Sequence, residues 1–193
     1  MFSDLKKYIA GRVQLLPAPL KKHIQRTRRL GLEISAKYDV DSELVDISIF
    51  GHDIARNLDD IALIVEAKKL RINIDEIEKK APILLHGPIA ATWISNNFLN
   101  QIDERIIEAI YFHTTGRANM SDVSKVTFLA DKLDPEKIKR RPSLQEVKSH
   151  IDISLDQAIL KFIELQINFS NMNNWDIPKM LLEFRDSLIS KNT

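Results

Sequence analysis

An all-α fold is what this sequence predicts. Only 5 Gly and 7 Pro occur in 193 residues, and strand-like alternation of apolar and polar residues is scarce. Long stretches instead carry apolar stripes at helical spacing, as in Leu20 to Tyr38 and Ile102 to Phe112.

The elements follow in order. Asp4 to Ala10 predicts a short first helix. Pro17 and Pro19 break the chain, and Pro19 can open the next helix because an N-terminal position needs no amide donor. That helix, Leu20 to Tyr38, places Ile24, Leu30, Ile34 and Tyr38 on broadly one face, with His23 near its start. Asp41 or Ser42 can cap a helix running to about Arg56, with Glu43 in its first turn to suit the helix dipole. Asp59 to Leu70 and Asp75 to Lys80 predict two shorter helices. Gly87 and Pro88 punctuate the chain before a helix from Ile89 to Leu99. The helix from Ile102 ends at His113, and Thr114 to Met120 predicts a polar loop. Ser121 caps a helix from Asp122 to Leu133 that carries Asp131. Pro135 and Pro142 mark a loop with a basic cluster, Lys137, Lys139, Arg140 and Arg141, expected to be solvated. A long helix from Leu144 to Ile167, a connector at Asn171, Asn173 and Asn174, a last helix from Ile177 to Ile189 and a frayed tail to Thr193 complete the chain.

Bulk properties narrow the class. The net charge of +1 draws the chain neither to nucleic acid nor to a membrane surface. The absence of cysteine removes disulfides, thiol nucleophiles and thiolate metal sites together. Met1 to Leu20 lacks a basic segment followed by an apolar one, and no run approaches the roughly 20 apolar residues that span a bilayer. The expectation is a soluble cytoplasmic protein without nucleic-acid or membrane partners.

The chemistry gathers on polar residues set among apolar helical patterns. His52 and Asp53 stand side by side after Val45, Ile47, Ile49 and Phe50. Buried charge is costly unless it is paired or bound to metal. His23, His86, His113 and Asp131 sit in comparable settings, most of them near predicted helix ends. Helix ends converging on one cavity could present all of them together. His23, His52, Asp53 and Asp131 offer two imidazoles and two carboxylates, a suitable donor set for iron, manganese or a similar divalent ion. His86 and His113 could hold a second ion, with Asp53 bridging. Two such ions activate water and stabilise an in-line displacement at phosphorus. The residues alone also fit blander roles: Asp131 as a surface aspartate at a helix end, His113 as a helix cap, Gly116 as a plain turn. Trp93 and Tyr111 fit the core better than a base-stacking role, and His150 lies in a polar setting.

The segments His23-Ile24-Gln25-Arg26-Thr27, His52-Asp53 and Asp131 resemble the HD-domain metal-dependent phosphohydrolase superfamily. Gly51-His52-Asp53-Ile54-Ala55-Arg56, Leu84-Leu85-His86-Gly87-Pro88, His113-Thr114-Thr115-Gly116-Arg117 and Leu129-Ala130-Asp131 resemble its YqeK-type branch, the symmetrical diadenosine tetraphosphatases. The resemblance covers about residues 18 to 165. It departs at Lys132-Leu133-Asp134-Pro135, where many relatives place an aromatic residue. It implies an all-α fold with a central di-metal site; the chain is expected to form one domain over 1–193, and the stretch 171–193, which the resemblance does not match, a C-terminal helical extension. That extension is either a helix packed on the domain or an oligomer contact, a homodimer included.

The implied metal ligands are His23, His52, Asp53, His86, His113 and Asp131, holding two divalent ions, iron before manganese or another transition ion. The implied reaction cleaves diadenosine tetraphosphate to two ADP. Asp53, His52 and Arg56 are the expected catalytic residues. Arg56, about a turn beyond His52 on the same predicted helix, is expected at the phosphates with Thr114, Thr115, Gly116 and Arg117. Two alternatives stand beside this reading: a superfamily enzyme acting on another nucleotide, and a catalytically silent metal-binding helical module.

Overall fold

The computed structural model describes residues 2–98 and 101–190, so Leu99 and the tail beyond Ser190 lie outside the described residues. Among those described, twelve α-helices and one short 3₁₀ turn make up the regular structure, with no strand. They are α1 (Ser3–Gln14), α2 (Ala18–Tyr38), α3 (Ser42–Gly51), α4 (Asp60–Lys69), α5 (Glu76–Lys80), the 3₁₀ turn Pro82–Leu85, α6 (His86–Asn97), α7 (Glu104–Phe112), α8 (Asp122–Lys132), α9 (Pro135–Arg140), α10 (Leu144–His150), α11 (Leu155–Met172) and α12 (Lys179–Ser190). No helix among them is long and apolar enough to cross a membrane.

Helices α2, α3, α7 and α8 pack on one another at the centre, and α6 lies along α7. Helix α1 covers α3. Helix α11 packs on α8, with α10 and α12 against it. One contiguous apolar core runs through the assembly from Leu5 to Leu188. The caps are local and chemical. Asp41 accepts from the amides of Glu43 and Leu44, Asp103 from Arg105 and Ser121 from Ser124. Asp75 and Glu78 form a reciprocal capping box.

Four sequence expectations are corrected. Helix α3 stops at Gly51 instead of reaching Arg56, and residues 52–58 continue as tight turns with bonds from Arg56 N to Asp53 O (2.9 Å) and Leu58 N to Ala55 O (3.2 Å). Arg56 is therefore not on the helix that precedes His52. Gly87 and Pro88 lie inside the first turn of α6 and do not precede it. The expected loop after Pro135 is helix α9. The long helix from Leu144 is two helices, because Ser154 caps a new one by accepting from Gln157 N.

Gly87 has a steric reason. A Cβ there would sit 2.9 Å from the Tyr111 carbonyl oxygen and 3.0 Å from that of Ile110, both backbone atoms of α7. Glycine lets α6 and α7 approach closely, and this brings His86 to His113. We predict that Gly87→Ala costs about 1–3 kcal/mol through overpacking. At about 2–4 °C per kcal/mol for a chain of this size, thermal unfolding should register the loss. An unchanged Tm would show that the two helices separate freely.

Candidate metal centre

Three of the four histidines in the centre are built the same way. His52 Nδ1 donates to the Ile49 carbonyl (2.6 Å) and His113 Nδ1 to the Ile110 carbonyl (2.8 Å). His86 Nδ1 bonds the Ile83 carbonyl in the same relation. In each case the partner is the carbonyl three residues back, at a helix end where such oxygens lack intrahelical partners. The fourth, His23 on α2, bonds Asp134 Oδ2 through Nδ1 at 2.5 Å. A donating Nδ1 leaves Nε2 as the lone-pair nitrogen, and all four Nε2 atoms turn inward.

There they meet the two carboxylates. His23 Nε2 lies 3.0 Å from Asp131 Oδ1 and 3.6 Å from Asp53 Oδ2. His52 Nε2 lies 3.3 Å from Asp53 Oδ2 and 3.6 Å from Asp131 Oδ1. The other oxygen of Asp53 serves a second group: Oδ1 is 3.1 Å from His86 Nε2 and 3.7 Å from His113 Nε2, which are 2.9 Å from each other. All six residues are buried. The structure thus brings together every ligand that the resemblance implied.

The arrangement fits divalent ions on its own evidence. Donors about 2.1 Å from one ion stand roughly 3.0–3.5 Å apart, close to the separations above. His52 Nε2 is buried without a hydrogen-bond partner, as a nitrogen reserved for an ion would be. Two overlapping triads, His23/His52/Asp131 and His52/Asp53/His113, have their donor atoms within 4.8 Å of one another. Four imidazoles and two carboxylates suit a transition ion better than calcium or magnesium.

The electrostatics agree. Burial alone would push the carboxyls up. The His52 and His86 imidazoles nevertheless hold Asp53 well below the usual carboxylate range. Lys137, Lys132 and His23 do the same for Asp131. Burial opposes a charged His52, but Asp53 and Asp131 outweigh it and raise the imidazole to about 10. His113, desolvated and facing His86 and His52, is pushed well below its ordinary value. Two ammonium groups add to the charge facing Asp131. Lys137 Nζ stands 2.5 Å from Asp131 Oδ1 and Lys132 Nζ 3.0 Å from Oδ2.

The centre forms the floor of a cavity of about 1350 Å³. Arg56, Thr114 and Thr115 line it, and so do Lys137, Arg140 and Arg141 of the basic cluster, while Lys139 stays exposed and pairs with Glu136 (2.6 Å). Arg117 and Gly116 are not brought to this cavity. Arg117 pairs with Glu108 (3.2 Å) and rests on Phe112. Gly116 adopts φ +66° beneath Phe184, whose ring a Cβ would meet at 2.3 Å. Trp93 bonds Glu66 and Tyr111 packs half-buried against the core, and neither lines this cavity.

Sequence reasoning missed Asp134 and Arg26. Asp134, 2 % exposed, accepts a bidentate pair from Arg26 (2.7 Å for both bonds) besides the His23 contact. Asp134 also caps α9 through Glu136 N. Asp-Pro at 134–135 was the available signal, because it is a helix start placed three residues after Asp131.

A helical cage of buried His and Asp donors under a cationic cavity is the centre of a metal-dependent phosphohydrolase. The HD domain family matches residues 20–136, and the chain belongs to that family. It is 26% identical over 173 residues to a symmetrical bis(5'-nucleosyl)-tetraphosphatase of Halalkalibacterium halodurans, covering 88% of this chain and 89% of that one. The Bacillus subtilis protein of the same name is 26% identical over 172 residues, covering 88% and 86%. A crystal structure from Clostridium acetobutylicum, described as a predicted HD superfamily hydrolase involved in NAD metabolism, superposes with a TM-score of 0.84. It is 25% identical and the match covers 99% of this chain and 98% of that one.

Two outcomes follow. Asp134→Ala should weaken metal binding about 10- to 100-fold by freeing the His23 ring, measured by metal titration, while Asp134→Asn should retain part of the affinity. An ion and a proton also compete for His52 Nε2, whose proton affinity Asp53 and Asp131 raise. Metal uptake should therefore release protons and strengthen with rising pH, roughly tenfold per unit for each proton displaced. Calorimetry in buffers of different ionisation enthalpy reads the released protons, and pH-independent uptake would contradict the displacement.

Proposed function

We propose that the protein hydrolyses dinucleoside tetraphosphates symmetrically, diadenosine tetraphosphate to two ADP, with two divalent ions held by His23, His52, Asp53, His86, His113 and Asp131. Asp53 carries this reading: its two oxygens face two separate imidazole pairs, as a bridging ligand must. The curated relatives of this name, aligned over most of their length, support the substrate class.

When bound, the ions supply an activated water and take up charge on the phosphoryl oxygens. The chain's own residues do the rest. Arg56, Lys137 and Arg140 line the cavity and offer it cationic, charge-assisted donors for a tetraphosphate bridge. The Thr114 and Thr115 hydroxyls add neutral donors beside His113. Water adds to a phosphorus at the centre of the bridge, the central P–O bond breaks, and the bridging oxygen leaves on the second ADP. Symmetric cleavage requires that this central linkage lie over the floor while nucleosides extend both ways. A cavity larger than the 300–1,000 Å³ of ordinary small-ligand pockets suits a substrate with two nucleoside ends.

The donor set suits iron, with manganese or another transition ion competing according to supply. We place the protein in the cytoplasm as a single domain over 1–193, the last helix being part of it.

The metal-loaded protein should convert diadenosine tetraphosphate to ADP alone. AMP with ATP would overturn symmetric cleavage, and faster turnover of NAD or of a mononucleotide would overturn the substrate. Asp53→Asn should lower kcat by at least about 10²-fold while the helical circular dichroism stays intact. Full activity in that variant would remove Asp53 from the centre.

A further inference from the structure

The cavity has one wall that phosphate chemistry leaves unused. Trp175 lines it while remaining 59% exposed. The residue sits in the connector between α11 and α12, and that connector is held in place. Asn174 turns the chain with φ 53°, and Trp175 N donates to the Ser170 carbonyl (2.9 Å). Asp176 pairs with Lys80 of α5 at 2.7 Å, across 96 residues of sequence. Phe169 meets the indole edge-on, centroids 5.4 Å apart at 82°. The Arg141 guanidinium lies 4.7 Å from the Phe169 ring centroid. Ile77, one turn before Lys80 on α5, lines the same cavity.

An exposed indole on the cavity wall, held edge-on to Phe169 with the Arg141 guanidinium over that ring, has the chemistry of a base platform. Every purine offers a π-face for stacking, and the neighbouring arginines suit the phosphates that follow it. A purely structural tryptophan would bury its ring, as Phe184 does against Phe128.

We propose that Trp175 is the platform on which the purine of the nucleotide stacks, with Ile77 beside it and the phosphates running inward past Arg140 and Lys137. The direction of the phosphates rests on the phosphohydrolase reading; the aromatic platform does not. The ligand class is a purine nucleotide, and bare polyphosphate gains nothing from this wall.

Tryptophan fluorescence tests it, since Trp93 and Trp175 are the two indoles of the chain. ADP should quench the full-length protein and a Trp93→Phe variant, but not Trp175→Phe. Inorganic tripolyphosphate should quench none of them. Trp175→Ala should raise KM for diadenosine tetraphosphate about 5- to 100-fold, the range expected for one lost stack, with kcat within about twofold. Trp175→Phe should recover most of the affinity. No quenching by ADP, equal quenching by tripolyphosphate, or an unchanged KM in Trp175→Ala would each overturn the platform. If diadenosine tetraphosphate is not turned over but ADP still quenches through Trp175, the substrate assignment fails and the platform stands.

Discussion

Two buried carboxylates constrain everything else in this molecule. Asp53 and Asp131 are 5% and 4% exposed, inside a bundle whose core is isoleucine, leucine and alanine. An isolated carboxylate there would pick up a proton or unfold its surroundings. Both are instead held ionised by imidazoles and ammonium groups that reach them from α2, α8, α9, the end of α3 and the start of α6. The helices must end where they do for those groups to arrive. Divalent ions would meet the same demand more strongly, since each brings two charges to donors already spaced for coordination.

The device that delivers the imidazoles repeats. Ile49-Phe50-Gly51-His52, Ile83-Leu84-Leu85-His86 and Ile110-Tyr111-Phe112-His113 share one form, an isoleucine whose side chain packs in the bundle and whose carbonyl orients the histidine three residues later. A helix end supplies the free carbonyl, the apolar residue anchors it, and the ring is left with Nε2 pointing at the carboxylates. This explains why a helix that continued to Arg56 would damage the site. The Ile49 carbonyl would be taken by an amide four residues on, and His52 would lose the bond that sets its tautomer.

Much of this was legible beforehand and some was not, for physical reasons. Helices with clean periodicity and a local start signal are legible within a few residues: Pro19 in the first turn of α2, and the side-chain caps Asp103 of α7 and Ser121 of α8. The six inward residues stood out because a polar group on an apolar stripe conflicts with its own surroundings. What escaped depends on distance in space. Asp134 reads as a helix cap in sequence, and only the fold sets it against His23 and Arg26 from 111 and 108 residues away. Arg117 has the right chemistry for phosphate, but Glu108, on the helix before it, pairs with it outside the cavity. The division of the segment after Leu144 hinged on Ser154 in an otherwise continuous apolar pattern.

The C-terminal segment shows why the site cannot be drawn from the ligands alone. Phe184 of α12 lies over Gly116, and the positive φ of that glycine leaves no room for a side chain beneath the ring. The loop that carries Thr114 and Thr115 is therefore held against the cavity by a helix roughly 70 residues later in the chain, one without a catalytic group of its own. Leu181 and Pro178 of the same segment line the cavity beside Trp175. The six inward donors, two carboxylates and four imidazoles, end at Asp131 in the sequence, so they say nothing about this wall. Phe162, Gln166 and Ser170 of α11, Leu181 of α12 and the connector between them shape one side of the cavity, so substitutions there reshape it without touching the six inward donors.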